Sequence, residues 1–263
     1  MRIKANDIHI NYELSGKKGA QVVVLSHSLS CSLLMWDPQM DALNPYFQVL
    51  RYDIRGHGGS DAPSGAYTLD LLAGDVIKLL DALQIDRVHF VGLSLGGMIG
   101  QRLALKDPHR LMSLALCDTA AIVPAEAQPL WQERMDKACK EGMKALLDQT
   151  MERWFTPSFL KQNSKMLALI REQLLATPVS GYIGCAEAIR RLNYLERLSK
   201  IKMPTLIVVG EDDPGTPVSA SEAMRERISN SKLVILPSAR HLSNVEQAEA
   251  FNAALLKFLR SLS

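Results

Sequence analysis

The chain has 263 residues, 30 basic and 28 acidic, for a net charge of +2 at neutral pH, and 47% of it is hydrophobic. That balance leaves no cationic footprint for nucleic acid, and no apolar run approaches the ~18 residues of a membrane span. The length suits one large α/β domain, or a core domain carrying an insertion. The polar, alternating start MRIKANDIHINYELSG lacks the apolar stretch of a signal peptide. Cys31, Cys117, Cys139 and Cys185 are scattered, with no CxxC pair. They point away from a zinc site or a disulfide framework and toward a reducing, cytoplasmic compartment.

In chain order, IHINYEL alternates like a half-exposed strand, and VVVLS (Val22–Ser26) is the short apolar run of a buried parallel strand. These first two strands lie close together and are expected to form an antiparallel edge hairpin. FQVLRYD is the next strand, followed by an amphipathic helix over 69–83, the strand RVHFVG, a helix over 95–106 and the strand LMSLALCD. From about 121 to 200 the patterns are helical, with a break expected at Gly142. TLIVVG and KLVILP resume the strands, and 245–259 reads as the last helix. Strand and helix in alternation predict an α/β fold, a mostly parallel sheet with helices on both faces. Residues 1–120 and 201–263 are expected to form the core. Residues 121–200 form a helical lid over the carboxyl ends of the strands, where ligands bind in such sheets.

The stretch VGLSLGGMIG crowds glycines around Ser94, between a strand and a helix. A turn that tight strains the serine backbone, and glycines at the flanks relieve the clash, leaving the hydroxyl exposed above the sheet. A serine needs a base to take its proton. Among six histidines, His9 and His89 lie within strand patterns and His109 at a helix end. Asp53, Arg55 and His57, in RYDIRGHG, read as structural. His241, in PSARHLSN, follows the last strand and falls at the same sheet edge as Ser94. The base in turn needs an acid. VVGEDDPGTP offers Glu211, Asp212 and Asp213, with Asp118 a competitor at the end of the preceding strand. Asp213 is chosen, which gives the chain order serine, acid, histidine of the α/β-hydrolases. For the oxyanion hole, the Leu95 N–H is one donor. Leu29 N–H is the other, because His27-Ser28-Leu29-Ser30, in the loop directly after VVVLS, aligns with the His-Gly-x-Gly pattern common there.

GLSLGGMIGQ, SHSLSCSLLMWDPQ, VLRYDIRGHGGSDAP, RWFTPSF and HLSNVEQAEAF together resemble 3-oxoadipate enol-lactonases, α/β-hydrolases of bacterial aromatic catabolism, along nearly the whole chain. The resemblance implies an eight-stranded, mostly parallel sheet with flanking helices and a helical lid, no metal or organic cofactor, and a small lactone substrate carrying a carboxylate. Of the lid arginines Arg134, Arg153, Arg190 and Arg191, Arg134 lies one turn from Trp131. That pair is favoured for substrate binding, with Trp154 as lid core. Two departures stand out: the family usually reads Ser-Asn-Ser-Leu-Gly over 26–30, and often has Asn where this chain has Asp118. A small-ester carboxylesterase, a carbon–carbon bond hydrolase of ring-cleavage products and a ligand receptor on a hydrolase scaffold remain open. The expected partner is a small lactone or ester, with no nucleic acid or membrane; a homo-oligomer is compatible with this reading.

Overall fold

In the computed structural model, which describes residues 1–262, eight strands form one sheet in the order β1-β2-β4-β3-β5-β6-β7-β8. β1 (Arg2–Ala5) and β2 (Ile8–Gly16) are antiparallel, and β2 is antiparallel to its other neighbour, β4 (Gln48–Tyr52). All pairings from β4 through β3 (Val22–Ser26), β5 (Val88–Leu93), β6 (Leu111–Cys117) and β7 (Thr205–Gly210) to β8 (Ser231–Leu236) are parallel. β3 and β5 are buried along their whole length, which is why they read as unbroken apolar runs.

The edge hairpin differs from the expectation. IHINYEL is its second arm, paired with the short RIKA strand, and VVVLS lies beyond β4. β2 alternates between buried and exposed positions and tolerates a place near the edge, whereas a strand as buried as β3 needs a neighbour on each side, supplied by β4 and β5.

The chain leaves β3 for β4 on one side and then crosses to β5 on the other. Strand order therefore reverses between β3 and β5, where Ser26 pairs with Gly92. Loops leaving the carboxyl ends of two such strands diverge around a crevice, the usual ligand position in open α/β sheets.

Helix α1 (Asp37–Leu43) follows β3, and α2 (Leu69–Ala82) and α3 (Leu95–Lys106) precede and follow β5. The Thr68 hydroxyl caps α2 by accepting from Leu71 N–H. Between β6 and β7 run α4 (Gln128–Glu141), α5 (Leu147–Trp154), α6 (Pro157–Leu160), α7 (Lys165–Ala176) and α8 (Val179–Arg190). α4 stops at Gly142, whose φ of +76° suits glycine, at the expected break. An antiparallel bridge between Ile122 and Asn193 ties the two ends of this insertion together. Its buried side chains, among them Met135, Phe155 and Ile170, join the same apolar cluster as the sheet.

α9 (Val218–Arg227) leads into β8, and the helix expected over 245–259 is two, α10 (Ser243–Glu246) and α11 (Ala248–Arg260), broken at Gln247. Tertiary bonds set the break: Ser243 Oγ reaches Asp118, Asn244 Nδ2 reaches the Met35 carbonyl, and Glu246 holds Arg240 N–H.

Candidate active site

Ser94 stands between β5 and α3 with φ +54° and ψ −113°, a conformation that L-residues rarely adopt. Its N–H donates to Cys117 O at 2.9 Å, and its carbonyl accepts from Met98 N–H and Thr119 Oγ1. The flanking glycines make room for the turn itself. A Cβ on Gly92 would sit 2.2 Å from Gly96 O, and one on Gly96 would sit 2.1 Å from Ser26 O. Strand, turn and helix thus pack backbone against backbone.

The three residues nominated as nucleophile, base and acid stand in one hydrogen-bonded row. Ser94 Oγ is 2.9 Å from His241 Nε2, and His241 Nδ1 is 2.8 Å from Asp213 Oδ2. Each comes from a loop at the carboxyl edge of the sheet: Ser94 after β5, Asp213 after β7, His241 after β8. Asp213 is buried and also accepts from Thr216 Oγ1 at 2.6 Å and Gly215 N–H at 2.7 Å. Burial pushes its carboxyl up, but His241, Thr216 and Gly215 outweigh that and hold it below the usual carboxylate value. Glu211 and Asp212 are exposed.

Asp118 makes no bond to His241. It accepts from Gly210 N–H at 2.8 Å and Ser243 Oγ at 2.5 Å, joining the end of β7 to the start of α10. Burial, and then the charge of Asp213, push its pKa well above the ordinary value.

The loop 27–32 is pinned from below. His27 Nε2 accepts from Ile54 N–H and His57 Nε2 accepts from Ser30 N–H, both at 2.9 Å. His27 Nδ1 donates to Ser28 O and His57 Nδ1 to Arg55 O. Asp53 holds Leu33 N–H at 2.7 Å, and Arg55 is buried against Asp75. Among the described residues, the backbone N–H groups of Leu29 and Leu95 meet no acceptor, and both residues belong to the loops that converge around Ser94. Ser30 adopts φ +61°, the left-handed position that glycine takes at lower cost.

Over this row lies a cavity of about 440 Å³, lined by Ser94, His241, Leu29, Trp131 and Arg134 among others. Arg134 stacks on the Trp131 ring, 5.1 Å from its centroid. Two residues assigned otherwise, or not favoured, also reach the cavity. Trp154 is buried in the insertion yet forms part of the wall, and Arg153 lies beside Gly215. Burial and then Arg134 pull the Arg153 pKa down. Arg190 and Arg191 pair with Glu187 and lie outside the wall. A helical period in the sequence carried the signal for Arg153, since Thr150, Arg153 and Trp154 share a face of α5 that lines the cavity.

Glu246 is another residue that the sequence did not single out. Its carboxylate accepts from Arg240 N–H at 2.8 Å, next to His241, and from Thr156 N–H at 2.9 Å in the insertion. Among the described residues, no cluster of three or more His, Cys, Asp or Glu side chains is arranged to hold a metal, and no helix is long and apolar enough to cross a membrane.

A mostly parallel sheet with Ser94, Asp213 and His241 meeting at its carboxyl edge defines a hydrolase of esters or lactones. A family model described as the alpha/beta hydrolase fold matches residues 21–248. The chain is 36% identical to 3-oxoadipate enol-lactonase 2 of Acinetobacter baylyi, over 96% of this chain and 94% of that one. The solved structure of the enol-lactonase from Burkholderia xenovorans LB400 superposes with a TM-score of 0.95 at 38% identity, covering 99% of this chain and 100% of the other. A putative carbamate hydrolase, RutD, of Yersinia enterocolitica is 31% identical over 94% of this chain and 91% of its own. The chain belongs to the α/β-hydrolases and, within them, to the 3-oxoadipate enol-lactonase family.

Proposed function

We propose that the protein opens 3-oxoadipate enol-lactone to 3-oxoadipate through an acyl-enzyme on Ser94. The observation that carries this reading is a single cavity holding the Ser94–His241–Asp213 row together with Arg134 and Arg153, neither of which has a carboxylate within ion-pair distance among the described residues. Residues 1–120 and 201–263 act as the core and 121–200 as a lid.

His241 Nε2 takes the Ser94 proton as Oγ attacks the lactone carbonyl, and Asp213 stabilises the imidazolium that forms. Leu29 and Leu95 N–H groups receive the negative charge that develops on the carbonyl oxygen. The ring C–O bond breaks, and the departing oxygen leaves as an enolate, which accepts a proton and becomes the ketone. An enolate is a better leaving group than an alkoxide, so the imidazolium has less acid work to do in this step. Water, deprotonated by His241, then attacks the acyl-Ser94 and releases the second carboxylate. The substrate's own carboxylate pairs with Arg134 beside Trp131.

The test is hydrolysis of freshly generated enol-lactone beside short p-nitrophenyl esters, with wild type and Ser94→Ala. Fast lactone opening that Ser94→Ala lowers by about 10³-fold or more supports the reading. Good ester turnover with a sluggish lactone overturns the substrate while leaving the hydrolase chemistry. Likeness to proteins named putative carbamate hydrolases supports a second reading, cleavage of a small carbamate by the same row, and a carbamate in the panel separates the two.

A further inference from the structure

The enol-lactone has about ten non-hydrogen atoms, yet the cavity above Ser94 measures about 440 Å³, within the range that encloses most of a drug-sized ligand. The spare room is divided by chemistry. Ala127, Leu130, Trp131 and Arg134 recur at helical spacing and all line the cavity, so the wall along α4 is apolar toward its start and cationic one turn further on. Ile122 and Val123, just before α4, extend the apolar side. Ile122 and Leu130 are each 41% exposed, which places the apolar end at the mouth. At the other end Arg153 lies beside Asp213 and Gly215, close enough to Arg134 for the two guanidinium groups to repel. Among the described residues, neither arginine has a carboxylate within ion-pair distance, unlike Arg190 and Arg191.

We propose that the enzyme also hydrolyses linear half-esters of short dicarboxylic acids, with the free carboxylate held between Arg134 and Arg153 and the alkyl group of the ester lying along Ile122 and Leu130. This rests on the reading of Ser94 as nucleophile given above. The enol-lactone is itself an internal half-ester of a dicarboxylic acid, so the linear compounds present the same two ends without the ring. Ser94 Oγ bonds to the ester carbonyl, the bond from that carbon to the alkoxy oxygen breaks, and the proton passed to His241 goes to the departing alkoxide. Water then cleaves the acyl-Ser94 to give the dicarboxylate and the alcohol. The alkoxide leaves less readily than an enolate, so turnover is slower than with the lactone.

The probes are monomethyl and monobutyl glutarate, with butyl pentanoate as the uncharged match, and the enol-lactone run alongside. A fully buried methylene is worth about fourfold in kcat/KM. The butyl half-ester should therefore exceed the methyl by about tenfold or more, allowing for a partly open mouth. It should exceed butyl pentanoate by a similar factor through the charge-assisted bonds to arginine. Leu130→Asp should erase the butyl-over-methyl advantage, and Arg153→Gln the charged-over-neutral one; thermal melts verify that both variants fold. Half-ester rates indifferent to alkyl length, or to the carboxylate, overturn the proposal. If the lactone still opens fast in that case, the enol-lactone reading stands alone. If the half-esters show both advantages and the lactone is inert, the substrate assignment falls and the half-ester activity stands.

Discussion

Asp213 accepts hydrogen bonds from His241, Thr216 and Gly215, while Asp118 is spent on Gly210 N–H and Ser243 Oγ. The two carboxyls end neighbouring strands, and their pKa values move apart because only Asp213 has a cation-forming partner. Asp213→Asn leaves the ring without an anion and favours the wrong tautomer, so kcat should fall about 10³–10⁴-fold. Asn at 118 still accepts from Gly210 N–H and donates to Ser243 Oγ, so Asp118→Asn should keep kcat within about tenfold. Rates on p-nitrophenyl acetate measure both, and the reverse ranking would sink the assignment of the acid. At this scale the sequence was legible where the signal was local. The glycines around Ser94, the acidic turn after β7 and the histidine after β8 are each contained in a few residues. Thr216 and Glu246 escaped because their roles depend on partners brought in by the fold: Glu246 meets Thr156 from 90 positions away.

The same division holds for elements. β3 and β5 are recognisable from their runs of buried residues, and the break at Gly142 from its residue type. β1 is four residues long with only Ala5 buried, too little for a period to show, and the place of β4 between β2 and β3 is set by pairing over long range. The single helix expected over 245–259 splits because α10 is held by side-chain bonds rather than by its own propensity. Among these, Glu246 joins the His241 loop to the turn between α5 and α6, through Arg240 N–H and through both Thr156 N–H and its hydroxyl. Glu246→Ala strands three donors in a half-buried place. It should cost about 1–3 kcal/mol in urea unfolding, whereas exposed Glu249→Ala should stay within about 0.5 kcal/mol. Equal midpoints for the two variants would show that the bridge does not hold the loop.

For the molecule as a whole, the histidines under the cavity floor tie folding to pH. His27 and His57 are buried, with ring centroids 5.3 Å apart, and each accepts a backbone N–H at Nε2, which a protonated ring cannot do. Burial lowers His27 to about 4. Burial and then the neighbouring His27 lower His57 to about 3. An unfolded chain binds these protons near pH 6.5. Both folded values lie below that, so their contribution is complete above about pH 6.5 and is lost as pH falls toward the folded values. Each ring tilts stability by about 1.4 kcal/mol per pH unit in that window. His89, lowered to about 4 by burial, tilts it the same way, and Asp118, raised by burial and by Asp213, tilts it the opposite way. The carboxylates held low, such as Asp70 beside Arg102, act only below about pH 4. A single substitution therefore isolates the ring better than the absolute slope does. The enol-lactonase pattern usually has Asn where His27 stands, and an amide at this position accepts from Ile54 N–H without titrating. Between about pH 6 and 4.5, His27→Asn should flatten the fall in unfolding free energy by about 1.4 kcal/mol per pH unit, read from urea midpoints and slopes at several pH values. An unchanged slope would mean that His27 carries its proton in the folded protein, and the Ile54 N–H would then need another acceptor.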